Sequence, residues 1–293
     1  MNLVLTVLQI VSPIFLLAAA GIGWVRLGFD YPVEFVTRLV MTLSVPCLIF
    51  TALMRTEVDP AALAALSMAA LAAYLAVIMI VLAGVKVLGM ECRTYAAPLI
   101  FGNTGNIGLP VAVFAFGEAG LGYAVVVFAV TAVLNFTVGV WLVSGGGAPW
   151  RVMKDPMVLA TLLGALFLWQ GWETPAFLTE ALRLMGQLAI PMMLLTLGVA
   201  VAQLRPGRIA RALWLSPVKL LVCALAGWIT GGLFGLDETA LAVLVLQLAT
   251  PVGVTSYLLA RRHGADADAV AGLVVVSTLM SVATLPVLLA LLL

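Results

Sequence analysis

The chain has 293 residues, of which 64% are hydrophobic and 9% charged, and its mean hydropathy is +1.22. This composition excludes a soluble globular protein and indicates a polytopic membrane protein. The net charge of +1 provides no basic surface for nucleic acid, and the three scattered cysteines lack the spacing of a metal site. Neither nucleic acid nor a metal is therefore an expected partner.

Windows of apolar residues predict ten membrane spans, so the expected fold class is an all-α polytopic membrane protein. Each window has about 20 residues, the length that crosses about 30 Å of hydrocarbon. The chain becomes apolar at Leu3 with no basic stretch before it, which predicts a permanent first span and not a cleaved signal peptide. The predicted spans are residues 3–25, 35–53, 61–88, 94–116, 121–143, 157–172, 177–201, 209–234, 239–260 and 269–292.

A short polar segment, residues 144–156, separates two sets of five spans. Its three consecutive glycines, Pro149 and its two basic residues are typical of a linker. The segment is too short for an additional soluble domain, so the function should lie within the membrane part. The predicted organisation is a first five-helix repeat at residues 1–143, a cytoplasmic linker at 144–156 and a second, inverted five-helix repeat at 157–293.

Basic residues are distributed unevenly between the two predicted faces. The connections between consecutive spans are numbered here in chain order. Even-numbered connections have only two basic residues, Arg55 and Arg183, at their margins, and Lys219 lies within a span. Because positively charged loops stay cytoplasmic, both termini are predicted to be extracytoplasmic. The predicted location is the inner (plasma) membrane. The other eleven of the fourteen basic residues lie in or beside odd-numbered connections: Arg26, Arg38, Lys86, Arg93, Arg151, Lys154, Arg205, Arg208, Arg211, Arg261 and Arg262.

The fourth span is interrupted by Phe101 to Pro110, read as Phe-Gly-Asn-Thr-Gly-Asn-Ile-Gly-Leu-Pro. Proline lacks an amide hydrogen and clashes with the preceding turn, and glycines allow the backbone to leave helical geometry, so the helix should unwind here. Non-helical backbone at membrane depth is stable only when it is buried in protein or lines a water-filled cavity. The segment is therefore predicted to line a polar site. A glycine-rich packing seam is the alternative, but it does not explain two amides beside a proline.

Prolines recur at matching places in the two halves. Pro46 and Pro191 lie in the second and seventh spans, 145 residues apart, and Pro110 and Pro251 lie in the fourth and ninth spans, 141 residues apart. Each half has an odd number of predicted spans, so the halves would insert in opposite orientations. Secondary transporters commonly have such inverted repeats, with broken helices that meet near the midplane.

The amino termini of broken helices favour anions because their dipoles and free amide groups point at the site. Asparagine amides both donate and accept hydrogen bonds, which suits a carboxylate or a hydroxylated organic anion. For the hydroxyl groups of the second break, local bonding to the helix backbone is an equally simple explanation. The predicted substrate-binding residues are Asn103, Gly105, Asn106, Pro110, Thr250, Pro251, Thr255 and Ser256.

Lys219 lies about ten residues into the eighth span, roughly 15 Å by helical rise. An ionisable residue at that depth indicates function by default. As charge compensation, it would attract the substrate anion or neutralise a half-helix carboxyl end in place of a bound cation. A lysine that snorkels to the interface is the alternative. No Asp or Glu lies at the centre of a span, and no cofactor is expected; the candidate coupling ions are Na⁺ and H⁺.

Several motifs resemble the auxin efflux carrier family, which includes plant PIN-type auxin exporters and bacterial carriers for malonate, malate and related acids. They are Asn103-Thr104 followed by Gly108-Leu109-Pro110, the Pro251 break followed by Ala260-Arg261-Arg262, and Ser277 to Pro286. The resemblance covers essentially the whole chain, and the fourth-span motif is its most specific part. It implies a ten-helix inverted-repeat fold with crossing fourth and ninth helices, related to bile acid:sodium symporters. It also implies a homodimer and an elevator-type motion, with spans 1, 2, 6 and 7 as scaffold and spans 3–5 and 8–10 as transport domain.

The same resemblance implies a ligand-facing asparagine at Asn103 and crossover prolines at Pro110 and Pro251. Residues 252–256 depart from the plant pattern, which disfavours an indole-sized auxin. The long cytoplasmic insertion of many plant members is absent, which favours a compact prokaryotic carrier.

The predicted function is secondary active transport of a small organic anion, by an elevator-type alternating-access mechanism. An intramembrane enzyme would need a nucleophile with a base, or metal ligands. The single histidine, the absence of paired acids within the spans and the absence of a His-Glu-x-x-His pattern argue against an enzyme. A channel or a membrane sensor of organic anions on the same fold is the alternative function.

Overall fold

A computed structural model describes residues 3–56, 58–145, 156–204 and 206–293, and the regular secondary structure in these ranges is helical. The first half contains α1 (Leu3–Arg26), α2 (Val33–Leu39), α3 (Val45–Arg55), α4 (Pro60–Val87), α5 (Cys92–Ile100), α6 (Leu109–Leu134) and α7 (Val140–Ser144). The second half contains α8 (Pro156–Gln170), α9 (Ala176–Gln187), α10 (Ala189–Gln203), α11 (Ile209–Leu233), α12 (Glu238–Leu248), α13 (Val254–His263) and α14 (Ala267–Leu292). The predicted all-α class is confirmed.

Seven helical stretches of the described residues are long and apolar enough to cross a membrane. They are Val7–Arg26, Val33–Arg55, Pro60–Val87, Thr104–Ser144, Ala176–Gln203, Ile209–Leu233 and Ala267–Leu292. The helices α8 and α12 are apolar but shorter. Ten crossings and the inverted repeat therefore stay predictions. Most of the predicted linker, residues 146–155 with Arg151 and Lys154, lies outside the described residues, as does Arg205.

Helices from the first, second, sixth and seventh predicted spans pack together. The helix α1 lies along α10, and α3 lies against α8 and α9. The contact between α1 and α10 is close enough that a Cβ at Gly21 or Gly198 would overlap a backbone carbonyl oxygen of the facing helix. Glycines at a helix contact allow backbones to approach closely in a membrane, where dispersion contacts replace the hydrophobic effect.

The remaining helices form a second group around α11, which contacts α4, α12 and α14. The helix α6 packs on α4 and α12. Buried Tyr74 of α4 stacks on Phe101, with ring centroids 5.9 Å apart, and its hydroxyl accepts a hydrogen bond from Thr131 of α6 at 2.8 Å. These contacts hold the interruption after α5 against its neighbours.

In the described ranges, three π-helical turns precede or join these helices, at Val40–Ser44, Thr104–Gly108 and Asn135–Gly139. Pro46 and Pro110 each directly follow such a turn as the second residue of an α-helix, where the fixed φ of proline suits a helix start. The sequence predicted unwinding as far as Pro110. The unwound residues are instead 101–103, because the π-helical turn restarts the helix before the proline.

Candidate functional site

The two interrupted segments cross and pair through their backbones. Gly102 and Val252 form an isolated antiparallel β-bridge, and the Asn103 amide donates to the Pro251 carbonyl oxygen at 2.7 Å. This pairing satisfies backbone groups that lipid could not satisfy. A Cβ at Gly102 would overlap the Thr250 side chain, so only glycine permits the approach.

The first interruption is shaped by the side chain of Asn103. Its Oδ1 accepts a hydrogen bond from the Asn106 amide at 3.3 Å and caps the π-helical turn Thr104–Gly108. Asparagine favours such cap positions because its short side chain reaches the free amides of the first turn. The side chain is 7% exposed, and its Nδ2 has no hydrogen-bond partner among the described residues.

The second interruption, after α12, is held by hydroxyl groups. The Thr250 hydroxyl donates to the Gln247 carbonyl oxygen at 2.7 Å. The Val252 amide donates to the Ser277 hydroxyl of α14 at 3.0 Å. From the sequence alone, local bonding of a hydroxyl to the helix backbone is the alternative to substrate binding. The hydrogen bond from Thr250 to Gln247 is of this local kind.

A cavity of about 240 Å³ lies beside the crossing. Its walls combine amides and hydroxyls with aromatic and methionine side chains, a mixture typical of small-molecule sites. None of the described residues that line it is charged. They are Thr37, Val40, Met41, Thr42, Gly102, Asn103, Thr104, Gly105, Asn106, Phe128, Thr131, Ala132, Asn135, Phe136, Pro156, Met157, Met193, Thr196, Val254, Thr255 and Leu258.

The structure brings half of the predicted binding residues to this cavity. Asn103, Gly105, Asn106 and Thr255 line it. The others lie elsewhere around the crossing: Pro110 in the first turn of α6, Thr250 and Pro251 on the far side with Lys219, and Ser256 buried in α13. The hydroxyl of Ser256 has no partner among the described residues.

Asn135 is a lining residue that the sequence reasoning missed. It begins the π-helical turn Asn135–Gly139, is 8% exposed, and its Oδ1 has no partner among the described residues. The available signal was an asparagine inside an otherwise apolar predicted span, the same signal that identified Asn103.

The hydroxyl group of Thr196, which lines the cavity, forms hydrogen bonds with residues outside the lining. The Thr196 hydroxyl of α10 is within 2.8 Å of the Tyr31 hydroxyl and donates to the Met192 carbonyl oxygen. Tyr31 precedes α2, and burial raises the pKa of its phenol while the hydrogen bond to Thr196 lowers it. The two contacts tie the segment before α2 to the wall of the cavity.

Lys219 of α11 lies behind the crossing. Its side chain is 4% exposed, and its ammonium donates to the Thr250 carbonyl oxygen at 2.8 Å. No Asp or Glu is buried in the described part of the chain. Among the described residues, no three His, Cys, Asp or Glu side chains cluster as metal ligands.

Comparison with known proteins finds similarity to membrane transport proteins. Residues 146–289 match the family described as "Membrane transport protein", the family that the auxin efflux carriers represent. The match covers just under half of the chain, so this part of the chain is similar to that family. The chain is 27% identical to an uncharacterized transporter of Methanothermobacter thermautotrophicus, over 97% of this chain and 95% of that protein. It is 25% identical to a protein of Rhizobium meliloti named "Putative malonate transporter", over 94% and 92% of the two chains.

The chain therefore has similar proteins along nearly its whole length. The predicted resemblance is confirmed, and the family and its relatives point to a transporter and not to an enzyme. Together with the apolar helices, they indicate a multi-pass membrane protein.

Proposed function

We propose that this protein is a secondary active transporter of a small organic anion, a mono- or dicarboxylate, that works by elevator-type alternating access. The observation that carries the proposal is the crossing of two interrupted segments beside a cavity lined by Asn103, whose buried Nδ2 has no hydrogen-bond partner among the described residues. A buried donor without a partner is costly, and an anionic oxygen would satisfy it.

The substrate carboxylate would bind where two helical segments begin. The π-helical turn starts at Thr104 and α13 starts at Val254, each directly after the crossing, and both residues line the cavity. Free amides and the helix dipole favour negative charge at such starts. In this proposal Asn103, Asn106 and Thr255 contact the anion, Gly105 leaves space for it, and Pro110, Pro251, Thr250 and Ser256 maintain the breaks.

Movement would occur between the two groups of helices. The helices α1, α2, α3, α8, α9 and α10 would form the scaffold, and the rest would form a transport domain that carries the crossing past it. The grouping is supported by the close contact of α1 with α10 and of α3 with α8 and α9. The matching order of interruptions supports two inverted five-helix repeats, at residues 1–143 and 157–293.

The remaining parts of the proposal concern the assembly. The carrier would be a homodimer in the inner membrane with both termini extracytoplasmic, and Na⁺ and H⁺ are the candidate coupling ions. Counterflow tests transport itself, because substrate on the far side accelerates uptake through a carrier but not through a channel or a sensor.

The binding site is tested by thermal unfolding of the purified protein with malonate, malate, succinate and indole-3-acetate. An acid that binds only the folded state stabilises it by about 2.7 kcal/mol at a hundred times its Kd. We expect one acid to raise the unfolding temperature of the wild type and of Gln203→Ala, which truncates an exposed amide, but not of Asn103→Ala. Equal stabilisation of Asn103→Ala would refute the assignment of Asn103.

A further inference from the structure

Lys219 lies at the carbonyl end of a half helix. The helix α12 ends at Leu248, and the helix dipole gives this end partial negative charge. The ammonium of Lys219 donates to the Thr250 carbonyl oxygen at 2.8 Å, just beyond that end. In broken-helix transporters, unwound carbonyl groups and half-helix carboxyl ends are where cations bind.

Several oxygen-bearing side chains line the same small cavity as Lys219. Lys219 lies in a small cavity of about 10 Å³, roughly the space of one water. Ser216 contributes a buried hydroxyl that has no partner among the described residues. The other oxygen-bearing side chains of the lining are Thr250, Ser277, Ser281 and Thr284. Hydroxyl and carbonyl oxygens are the ligands that hard cations prefer.

The described residues around this small cavity include no carboxylate. The other titratable group near Lys219 is Cys223, one turn further along α11 and 1% exposed. A buried ammonium without a counter-ion is costly. It is stabilised here by the carbonyl end of α12 and by the hydrogen bond to the Thr250 carbonyl oxygen.

We propose that the ammonium of Lys219 is a built-in cation, occupying a site at the second break that a free sodium ion would otherwise fill. The consequence is that this break keeps its shape without sodium in solution. Of the two candidate coupling ions, sodium would then have no role at this position.

The built-in cation also acts on the anion site through the backbone. Lys219 holds the Thr250 carbonyl oxygen, and the next carbonyl oxygen, that of Pro251, accepts the Asn103 amide at 2.7 Å. Asn103 in turn caps the π-helical turn at the cavity. Lys219 is therefore a positioning residue for Asn103, a second inference that rests on the proposed function of that cavity.

The cation role is tested by unfolding, without any substrate. We expect the wild type to unfold at the same temperature in sodium chloride and in choline chloride of equal concentration. Lys219→Ala removes the charge and leaves space, so it should unfold at a lower temperature and recover part of the loss in sodium or methylammonium chloride. Lys219→Met fills the space without a charge and should not recover. Lys86→Met, at an exposed lysine of α4, should behave as the wild type.

Any of three results would overturn the proposal of a built-in cation. The wild type could be more stable in sodium chloride than in choline chloride, Lys219→Ala could be insensitive to cations, or Lys219→Met could be as stable as the wild type. If Lys219→Ala does not fold, the wild type and Lys219→Met comparisons still decide. The positioning role is tested separately with whichever acid stabilises the wild type. The affinity of the protein for that acid should fall about tenfold or more in Lys219→Met, the order expected for loss of a charge-assisted hydrogen bond. Unchanged affinity would exclude the positioning role.

Discussion

Asn103 and Asn135, two residues that line the cavity, have complementary unpartnered hydrogen-bonding groups. The unpartnered atom of Asn103 is the donor Nδ2, and that of Asn135 is the acceptor Oδ1. Both residues line the same cavity and are at most 8% exposed. A carboxylate satisfies the donor but cannot satisfy the acceptor, which needs a hydroxyl or an N–H group. We therefore expect an acid that also donates a hydrogen bond to bind better than one that does not.

Malate and succinate provide a matched pair for Asn135, because they differ by one hydroxyl group. Asn135→Leu, which removes the acceptor at similar volume, should weaken malate binding by about tenfold relative to succinate, the size of a typical net hydrogen bond. Titration by isothermal calorimetry measures both affinities. Thr137→Val in the same π-helical turn should change neither. An equal loss of affinity for both acids would mean that Asn135 does not accept a hydrogen bond from the malate hydroxyl.

At the scale of elements, the contact between α1 and α10 depends on glycine. Gly198 faces the backbone of Ala18, and Gly21 faces the backbone of Leu195. A backbone cannot rotate away as a side chain can, so an added methyl group must push the helices apart. This contact supports the proposed scaffold.

Gly198→Ala should therefore lower stability by about 1–3 kcal/mol, the usual cost of overpacking, and a thermal unfolding measurement in detergent would detect it. Gly84→Ala is the control, because nothing lies within 4 Å of a Cβ at Gly84 of α4. Alanine is the better helix former, so Gly84→Ala should be neutral or stabilising. If Gly198→Ala matched Gly84→Ala, the two helices would be packed more loosely than the structure shows.

For the whole molecule, the proposed topology distinguishes the two faces by charge. Cys92 begins α5 beside Arg93, in a connection proposed to be cytoplasmic, and is exposed. Glu173, between α8 and α9, is exposed in a connection proposed to be extracytoplasmic. The two positions thus report on opposite faces.

In a Cys47→Ser, Cys223→Ser background, an impermeant maleimide should label Cys92 in inverted vesicles but not in intact cells. Glu173→Cys, made with Cys92→Ser, should show the reverse. Burial raises the pKa of the Cys92 thiol, and the thiolate is the reactive form, so labelling should speed up as the pH rises. Labelling of Cys92 from outside intact cells would invert the topology.

The helices at this scale follow largely from the sequence. Apolar runs of membrane length predicted α1, α4, α11 and α14 within a few residues, because backbone groups in lipid must bond within their own helix. The polar interruption near Asn103 was also predictable, since glycine, asparagine and proline close together disfavour a continuous helix within such a run. The resemblance to the auxin efflux carriers followed from the same motif.

Long-range geometry did not follow from the sequence. Asn135 became a cavity residue only because α6 packs so that the two asparagines face one space, and Thr250 left the cavity lining because its hydroxyl bonds to Gln247. From the sequence, Lys219 could attract the substrate anion, neutralise a half-helix carboxyl end or snorkel to the interface. Its hydrogen bond to the Thr250 carbonyl oxygen favours the second of these roles. Spacing along a chain specifies which face of a helix a residue occupies; which partner covers that face depends on how distant helices pack.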